Sequence, residues 1–360
     1  MTAGVDKPFQ GKRILITGGT GSLGKVLLRR LLGGSSGTPS KIIVLSRDEA
    51  KQHALRVEYQ HRKWATDEII YQNFRETLEF RVGDVRDFHS LAAALRNSDI
   101  VFNAAAMKQV PTCEYFPFEA VRTNIGGAEN IVRAIVDLHL GVQTVVGVST
   151  DKAAKPVNVM GMTKAIQERV FGHGNLHAPN TRFVMTRYGN VLASRGSVIP
   201  LFHDQIRNGG PLTITHKDMT RFLLSLEDAV DLIFDAVREG RRGETFVPRV
   251  PAAKIVDVAK VLIEDRPLKI SYTGVRPGEK LHEILISEEE CPRVRVSGRN
   301  YVIAPILPEL RDADAVTSVL NKEYSSEREI VPIDQVRAML MERKLMVGQQ
   351  DFESEGEFLR

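Results

Sequence analysis

Cysteine is almost absent from this chain of 360 residues: only Cys113 and Cys291 occur, far apart and outside any Cys-x-x-Cys. That spacing excludes a disulfide framework and a cysteine zinc site, and it fits a reducing compartment. No uninterrupted apolar run is long enough to cross a bilayer, and Met1–Pro8 carries no apolar core of the signal-peptide kind. A cytoplasmic protein without a membrane partner is expected. Charge of one sign is missing as well, because 49 Lys+Arg face 45 Asp+Glu for a net +4, with no basic run. Nucleic acid is therefore not an expected partner, whereas a small anionic ligand stays open. The nine histidines show no metal-ligand spacing; His173 and His177 stand at i, i+4 without a third ligand nearby and read as surface residues, so no metal is expected. Internal repeats and low-complexity segments are lacking too. What the chain does have is 42% apolar residues over a length that suits two lobes or one large domain.

Short apolar runs alternate with helical spacing through the first half. Arg13–Thr17, Lys41–Leu45, Leu78–Val82, Ile100–Asn103, Gln143–Ser149 and Arg182–Thr186 read as strands, with a leucine-spaced helix over Leu23–Leu32 and further helices between the others. Strand, helix and strand in this order make βαβ units with right-handed crossovers, which predicts an α/β fold with a doubly wound parallel sheet. After about Asn190, Gly, Pro and Arg punctuate the chain and the alternation fades. The expected domains are 1–190 for nucleotide binding, with later segments completing the sheet, 191–287 for a smaller mixed substrate lobe, and 288–360 for a C-terminal extension. This last stretch is charge-rich from Glu288, with a helix over Ile333–Lys344 and a frayed tail, Gln349–Arg360.

Gly18, Gly21 and Gly24 recur at three-residue spacing between the first strand and the first helix. Glycine lets backbone turn tightly and approach a pyrophosphate, and a helix N-terminus offers free N–H groups, so Gly18, Thr20, Gly21, Ser22, Leu23 and Gly24 form a dinucleotide-binding turn. The second strand ends in Ser46-Arg47-Asp48-Glu49. Arg47 beside a serine favours the 2′-phosphate of NADP; Asp48 turned to a ribose would favour NAD, which stays the alternative. Asp84 and Val85 follow the third strand, where they would contact adenine, or Asp84 would cap a helix. Tyr59 and Trp64 lie in a charged helical stretch, Lys51–Glu76, that reads either as lining the adenine side or as a subunit contact.

Thr150-Asp151-Lys152 closes the fifth strand, at the carboxyl edge of the sheet, and Met160-Gly-Met-Thr-Lys164 opens a helix eight residues later. Here the chain resembles the extended short-chain dehydrogenase/reductases that act on nucleotide sugars, a Rossmann-fold group whose helix normally carries Tyr-x-x-x-Lys. More narrowly it is similar to the bacterial UDP-N-acetylglucosamine 4,6-dehydratases of polysaccharide biosynthesis. The likeness runs through Ser46–Glu49, Ala104-Ala-Ala-Met-Lys-Gln-Val-Pro111, Thr150–Ala153, Arg187-Tyr-Gly-Asn-Val191, Ser194–Val198, Met219–Phe222 and Gly274-Val-Arg-Pro-Gly-Glu-Lys-Leu-His-Glu283. The departure is Met160, which stands where smaller soluble members have tyrosine and larger membrane-anchored members also have methionine.

The resemblance implies a hydride leaving sugar C4 for a nicotinamide, loss of water across C5 and C6, and return of the hydride to C6. It assigns Lys152 as the C5 base, Asp151 as the acid, Thr150 to the 4-hydroxyl and Lys164 to the nicotinamide ribose, with Ala104 beside the cofactor. It places Lys108 at the sugar or its phosphates, Asn190 at the phosphates, Arg195, Arg221 and Arg276 around the nucleoside diphosphate with Val198 beside them, and Glu279 at the nucleoside ribose. For these roles burial, aided by the oxidised nicotinamide, is expected to lower the Lys152 amine. A homo-oligomer is usual for the family. The base is not encoded in any motif, so GDP-N-acetylglucosamine is an alternative substrate; 4-epimerisation and a non-catalytic NADP-sensing scaffold are competing functions.

Overall fold

The computed structural model describes residues 7–60, 76–192, 197–311 and 318–349. Trp64, Arg195 and the tail beyond 349 lie outside them. In chain order the elements are β1 (Arg13–Thr17), α1 (Ser22–Leu32), β2 (Lys41–Ser46), α2 (Glu49–Gln60), β3 (Leu78–Val82), α3 (Phe88–Leu95), β4 (Ile100–Asn103), α4 (Val110–Tyr115), α5 (Pro117–Ala120), a π-helical turn (Val121–Gly126), α6 (Gly127–Asp137), β5 (Thr144–Val148), α7 (Val159–His177) and β6 (Arg182–Thr186). There follow α8 (Val198–Arg207), β7 (Leu212–Ile214), β8 (Thr220–Phe222), α9 (Leu226–Glu239), β9 (Thr245–Pro248), β10 (Ala252–Lys254), α10 (Ile255–Ile263), β11 (Ile270–Tyr272), β12 (Ile284–Ile286), β13 (Val294–Ser297), β14 (Asn300–Ile303), β15 (Tyr324–Ser325) and α11 (Ile333–Glu342).

A nine-stranded sheet runs β13-β14-β9-β6-β5-β4-β1-β2-β3. From β9 to β3 its strands are parallel, and β14 and β13 close one edge antiparallel. β5 is buried along its whole length and β1 from its second residue, because helices cover both faces; this is why the strands read as apolar runs rather than as alternation. One face packs on α1, α2 and α9 through Leu27, Leu31, Leu55, Ile233 and Phe234. The other packs on α3, α6 and α7 through Leu91, Ile131, Ile135 and Phe171. Tyr59 is a core residue of the first face, only 2% exposed, so neither the adenine-side nor the subunit-contact reading holds for it. Three of the nine strands, β9, β13 and β14, come from residues after 190. The remaining short strands pair two by two, β8 with β10, β7 with β11 and β12 with β15. A separate apolar cluster joins α8, α10 and α11 beneath them.

Strand order reverses between β1 and β4, so a crevice opens at their carboxyl ends. The later segments are tied to this edge by Arg187, 3% exposed at the end of β6, whose guanidinium bonds Glu168 on α7 (2.6 and 3.1 Å) and Glu290 before β13 (2.8 and 2.9 Å). Arg187→Met would leave both carboxylates buried without a counterion. A loss of about 3–5 kcal/mol of stability is expected, measured as a lowered urea midpoint.

Candidate active site

The crevice holds a cleft of about 360 Å³ whose wall includes Ser22, Ala104, Thr150, Lys152, Met160 and Lys164. A second hollow of about 190 Å³, lined by Val198, Arg221, Arg276 and Glu279 among others, shares Asn190 and Ser197 with it. The two form one trough, from the glycine turn at one end to the C-terminal lobe at the other.

At the first end, Gly18 has φ +67°, and a Cβ there would sit 2.8 Å from the backbone of Ala105. Gly24 lies on α1 where a Cβ would come within 2.4 Å of the Gly19 Cα, so only glycine lets the helix close over the turn. Gly21 is the N-cap of α1 and no side chain caps that end, which leaves first-turn N–H groups for an anion. Ser22 and Leu23 line the cleft behind it. Thr20 and Ser46 bond each other at 2.9 Å across the β1 and β2 ends. Arg47 is exposed, its guanidinium 3.8 Å from Asp84. Asp48 is turned away: it accepts from the Lys51 N–H at 2.9 Å and pairs with the Lys51 amine, which holds its carboxyl below the usual range. Burial raises the Asp84 carboxyl, but hydrogen bonds from Arg86, together with Arg47, outweigh it and the net shift is downward. The helix cap here is Asp87, bonding Ser90 N–H at 2.6 Å, so the capping reading of Asp84 is replaced. Val85 is buried against α6 rather than open to a ligand, and its carbonyl accepts from Asn130. These groups suit a dinucleotide: a cradle that only glycine permits, an uncapped helix end, and an exposed cation beside the second strand.

A charged cluster lies at the end of β5. Asp151 is 1% exposed, and its Oδ1 accepts from the Thr150 hydroxyl at 2.7 Å and from the Lys152 amine at 3.1 Å. The amine also donates to Asn190 Oδ1 at 3.0 Å and stands 3.3 Å from Glu283 Oε1. Lys152 lines the cleft; Asp151 sits one hydrogen bond behind it and does not. The expected fall in the Lys152 pKa is corrected: burial pushes the amine down, but Asp151 and Glu283 together outweigh it and the net shift is upward. Lys152 is an ammonium at rest.

α7 begins at Val159, one residue ahead of the expected start, and the side chain of its N-cap Asn158 accepts from the Gly161 N–H at 2.8 Å. Met160 is buried among Cys113, Ala120 and Val110 while one side meets the cleft. Lys164, one turn later and 5% exposed, donates to Gln167 at 2.7 Å, and burial pushes its amine down to about 8. The π-helical turn aims Asn124 so that it bonds both backbone groups of Met107 and the Thr163 hydroxyl, fixing the loop that carries Lys108 along the cleft.

Of the residues expected at the substrate, Asn190, Val198, Arg221, Arg276 and Glu279 meet around the second hollow. Arg221 is already engaged: it donates to the Thr220 and Leu281 carbonyls and to Glu279 Oε1 at 3.3 Å, with Glu283 3.7 Å away. Arg276 is exposed, and its N–H donates to Glu279 at 3.4 Å. His173 and His177 are together on α7, ring nitrogens 3.2 Å apart. Among the described residues no group of three or more His, Cys, Asp or Glu is placed to hold a metal, and no helix is long and apolar enough to cross a membrane.

Residues 14–322 match the family described as Polysaccharide biosynthesis protein. The chain belongs to that family. A UDP-glucose 4-epimerase of Rickettsia typhi is 44% identical over 300 residues, 82% of this chain and 83% of the relative. Among solved structures, Pen from Bacillus thuringiensis superposes with a TM-score of 0.82 at 32% identity, covering 94% of this chain and 99% of Pen. DesIV, a dTDP-glucose 4,6-dehydratase of Streptomyces venezuelae with NAD and TYD bound, shares the fold with a TM-score of 0.63 at 22% identity, over 75% of this chain and 86% of its own. This polysaccharide biosynthesis family member is thus an enzyme of the short-chain dehydrogenase/reductase class that comprises nucleotide-sugar dehydratases and epimerases, with the doubly wound sheet expected of it.

Sequence reasoning placed no role on Glu283, which closes a motif already singled out. Its only signal is chemical, an acid in a charged segment, and nothing ties it to Lys152 in spacing. Lys164 supplies a pH test. Its amine is charged below about pH 8 and neutral above, so an anionic dinucleotide bound beside it is expected to weaken as pH rises through that value. Calorimetric titration on both sides of it should show the change, and Lys164→Met should abolish it.

Proposed function

We propose that this protein is an NADP-dependent 4,6-dehydratase of UDP-N-acetylglucosamine, making a UDP-4-keto-6-deoxy-N-acetylhexosamine for surface glycan or nonulosonic-acid biosynthesis. The observation that carries this reading is the Asp151–Lys152 pair, with Lys152 in the cleft wall and Asp151 one hydrogen bond behind it. Epimerisation needs one proton acceptor for the 4-hydroxyl; loss of water needs, in addition, a base at C5 and an acid at the C6 oxygen.

Gly18, Gly21 and Gly24 would cradle the pyrophosphate, Thr20, Ser46 and Arg47 would face the 2′-phosphate, and Lys164 would hold the nicotinamide ribose. A dinucleotide held there would supply the hydride acceptor for C4 and the hydride donor for C6. Thr150 meets the 4-hydroxyl and passes its proton along the 2.7 Å bond to Asp151. Met160 has no proton to exchange, so this relay stands in for the missing tyrosine. With the ketone formed, Lys152 as free amine removes the C5 proton. The proton held by Asp151 leaves with the C6 oxygen as water, carried through Thr150 or Lys152 because the carboxyl itself is behind the wall, and the proton taken from C5 returns to C5 from the Lys152 ammonium as C6 is reduced, which leaves both groups as they began. Arg276 and Arg221 would hold the diphosphate, and Glu279 the nucleoside ribose.

A second reading is 4-epimerisation, favoured by the name of the Rickettsia relatives at 44% identity. Incubating the protein with NADP and UDP-N-acetylglucosamine separates the two: mass spectrometry is expected to find a product lighter by one water, and a product of unchanged mass would establish the epimerase. GDP-N-acetylglucosamine in a parallel reaction tests the base. Lys152→Ala is expected to lower kcat by about 10²- to 10⁴-fold. Arg47→Glu is expected to weaken NADP binding by about tenfold or more, with NAD much less affected, as read by cofactor titration.

A further inference from the structure

Glu283 is 1% exposed, its Oε1 lies 3.3 Å from the Lys152 amine, and its Oε2 is buried without a hydrogen-bond partner among the described residues. A buried carboxylate with a free oxygen is costly unless a cation holds it. Two cations do so: Lys152, and Arg221 at 3.7 Å. The backbone of Glu283 is fixed independently, its N–H donating to Ser326 Oγ at 2.9 Å and its carbonyl accepting the Ser326 N–H at 2.8 Å. Ser326 Oγ is itself shared with the Thr220 hydroxyl, which also meets His282 at 2.9 Å. The carboxylate is therefore aimed at Lys152 by a scaffold that does not depend on the ion pair.

We propose that Glu283 is a positioning residue for Lys152: it pins the amine at the cleft wall in its protonated form and thereby sets the pH at which the free amine becomes available. The inference deepens the proposed function and rests on its reading of Lys152 as the proton-transfer group. Other charges acting on the amine are Asp151 on its own turn, Arg221 on β8 and Lys280 on the segment before β12; on that segment Glu279 pairs with Arg221 and His282 bonds the Thr220 hydroxyl, and Tyr188 borders the same cleft. Asp151 is committed to Thr150 as well as to Lys152, and Arg221 and Lys280 oppose the ammonium, which leaves Glu283 as the carboxylate that the cluster supplies for the amine from a separate element. Without it, one of two attractions that keep the proton on Lys152 is gone, and the free amine appears at lower pH.

The test needs no sugar. Pulse acetylation of the full-length protein with acetic anhydride across a pH series, read at the Lys152 peptide by mass spectrometry, reports the fraction of free amine. In Glu283→Gln the Lys152 curve is expected to move down by about one pH unit or more, roughly a tenfold gain in reactive amine at a fixed pH below the midpoint. Glu283→Asp, which keeps the charge, is expected to return most of that shift, and the acid limb of kcat/KM should follow the labelling curve. Curves for Glu283→Gln and the wild type that superpose would overturn the proposal. If Glu283→Gln fails to fold, the wild type decides: Lys152 is expected to reach half-labelling at or above the pH found for exposed Lys217, and a midpoint below it refutes the clamp. A labelling shift in a protein that leaves UDP-N-acetylglucosamine untouched would remove the proposed reaction and keep the clamp; turnover with no labelling shift would do the reverse.

Discussion

An amine enclosed by two carboxylates governs the architecture around it. Lys152 and Arg221 balance Asp151 and Glu283, and both acids are almost fully withdrawn from water. Such a cluster is a poor device for stability, since apolar side chains would serve as well or better, and its members come from three separate stretches of chain. Under the proposed function its worth is chemical: a proton moved within it would change the charge of a group at the cleft wall without any large movement. Each backbone segment feeding it is fixed by bonds of its own, the Asp151 N–H on the Tyr188 carbonyl and Glu283 on Ser326.

The sheet explains why those stretches meet. Reversal of strand order between β1 and β4 opens the crevice, β5 delivers Thr150–Lys152 to its floor, and the exit of β6 delivers Asn190. The chain then leaves to build the smaller lobe and returns twice, first as β9 and then as the β13–β14 hairpin, so the lobe is held at its base by strands of the main sheet. Arg187 links that return to α7 through Glu290 and Glu168.

Much of this was legible in the residues. Four of the six early strands match their apolar runs end to end; β1, β4 and β6 are buried on both faces and have no reason to alternate, whereas the edge strand β3 is only partly buried. The glycine turn was readable because its spacing reports backbone geometry directly. Charge states were not. The same burial that was expected to strip Lys152 of its proton is overruled by its neighbour Asp151 together with Glu283, and the second of these stands 131 positions later in the chain, a distance at which no local pattern encodes a partner. Tyr59 misled for a related reason: a polar, charged surrounding in sequence says little about an aromatic ring on the inner face of an amphipathic helix. Asp48 and Asp84 were equally ambiguous, since the choice between ligand, cap and ion pair rests on Lys51, Asp87 and Arg86, which look alike until they are placed in space.

The pairing of Glu283 with Ser326 bears on how the molecule comes into being. A nascent chain finishes its nucleotide-binding strands β1 to β6 by residue 186, yet the hydroxyl that braces the second carboxylate emerges from the ribosome about 140 residues later. Polypeptides cut short before β15 would therefore have the glycine turn and the first six strands but lack the hydroxyl that braces Glu283 beside Lys152.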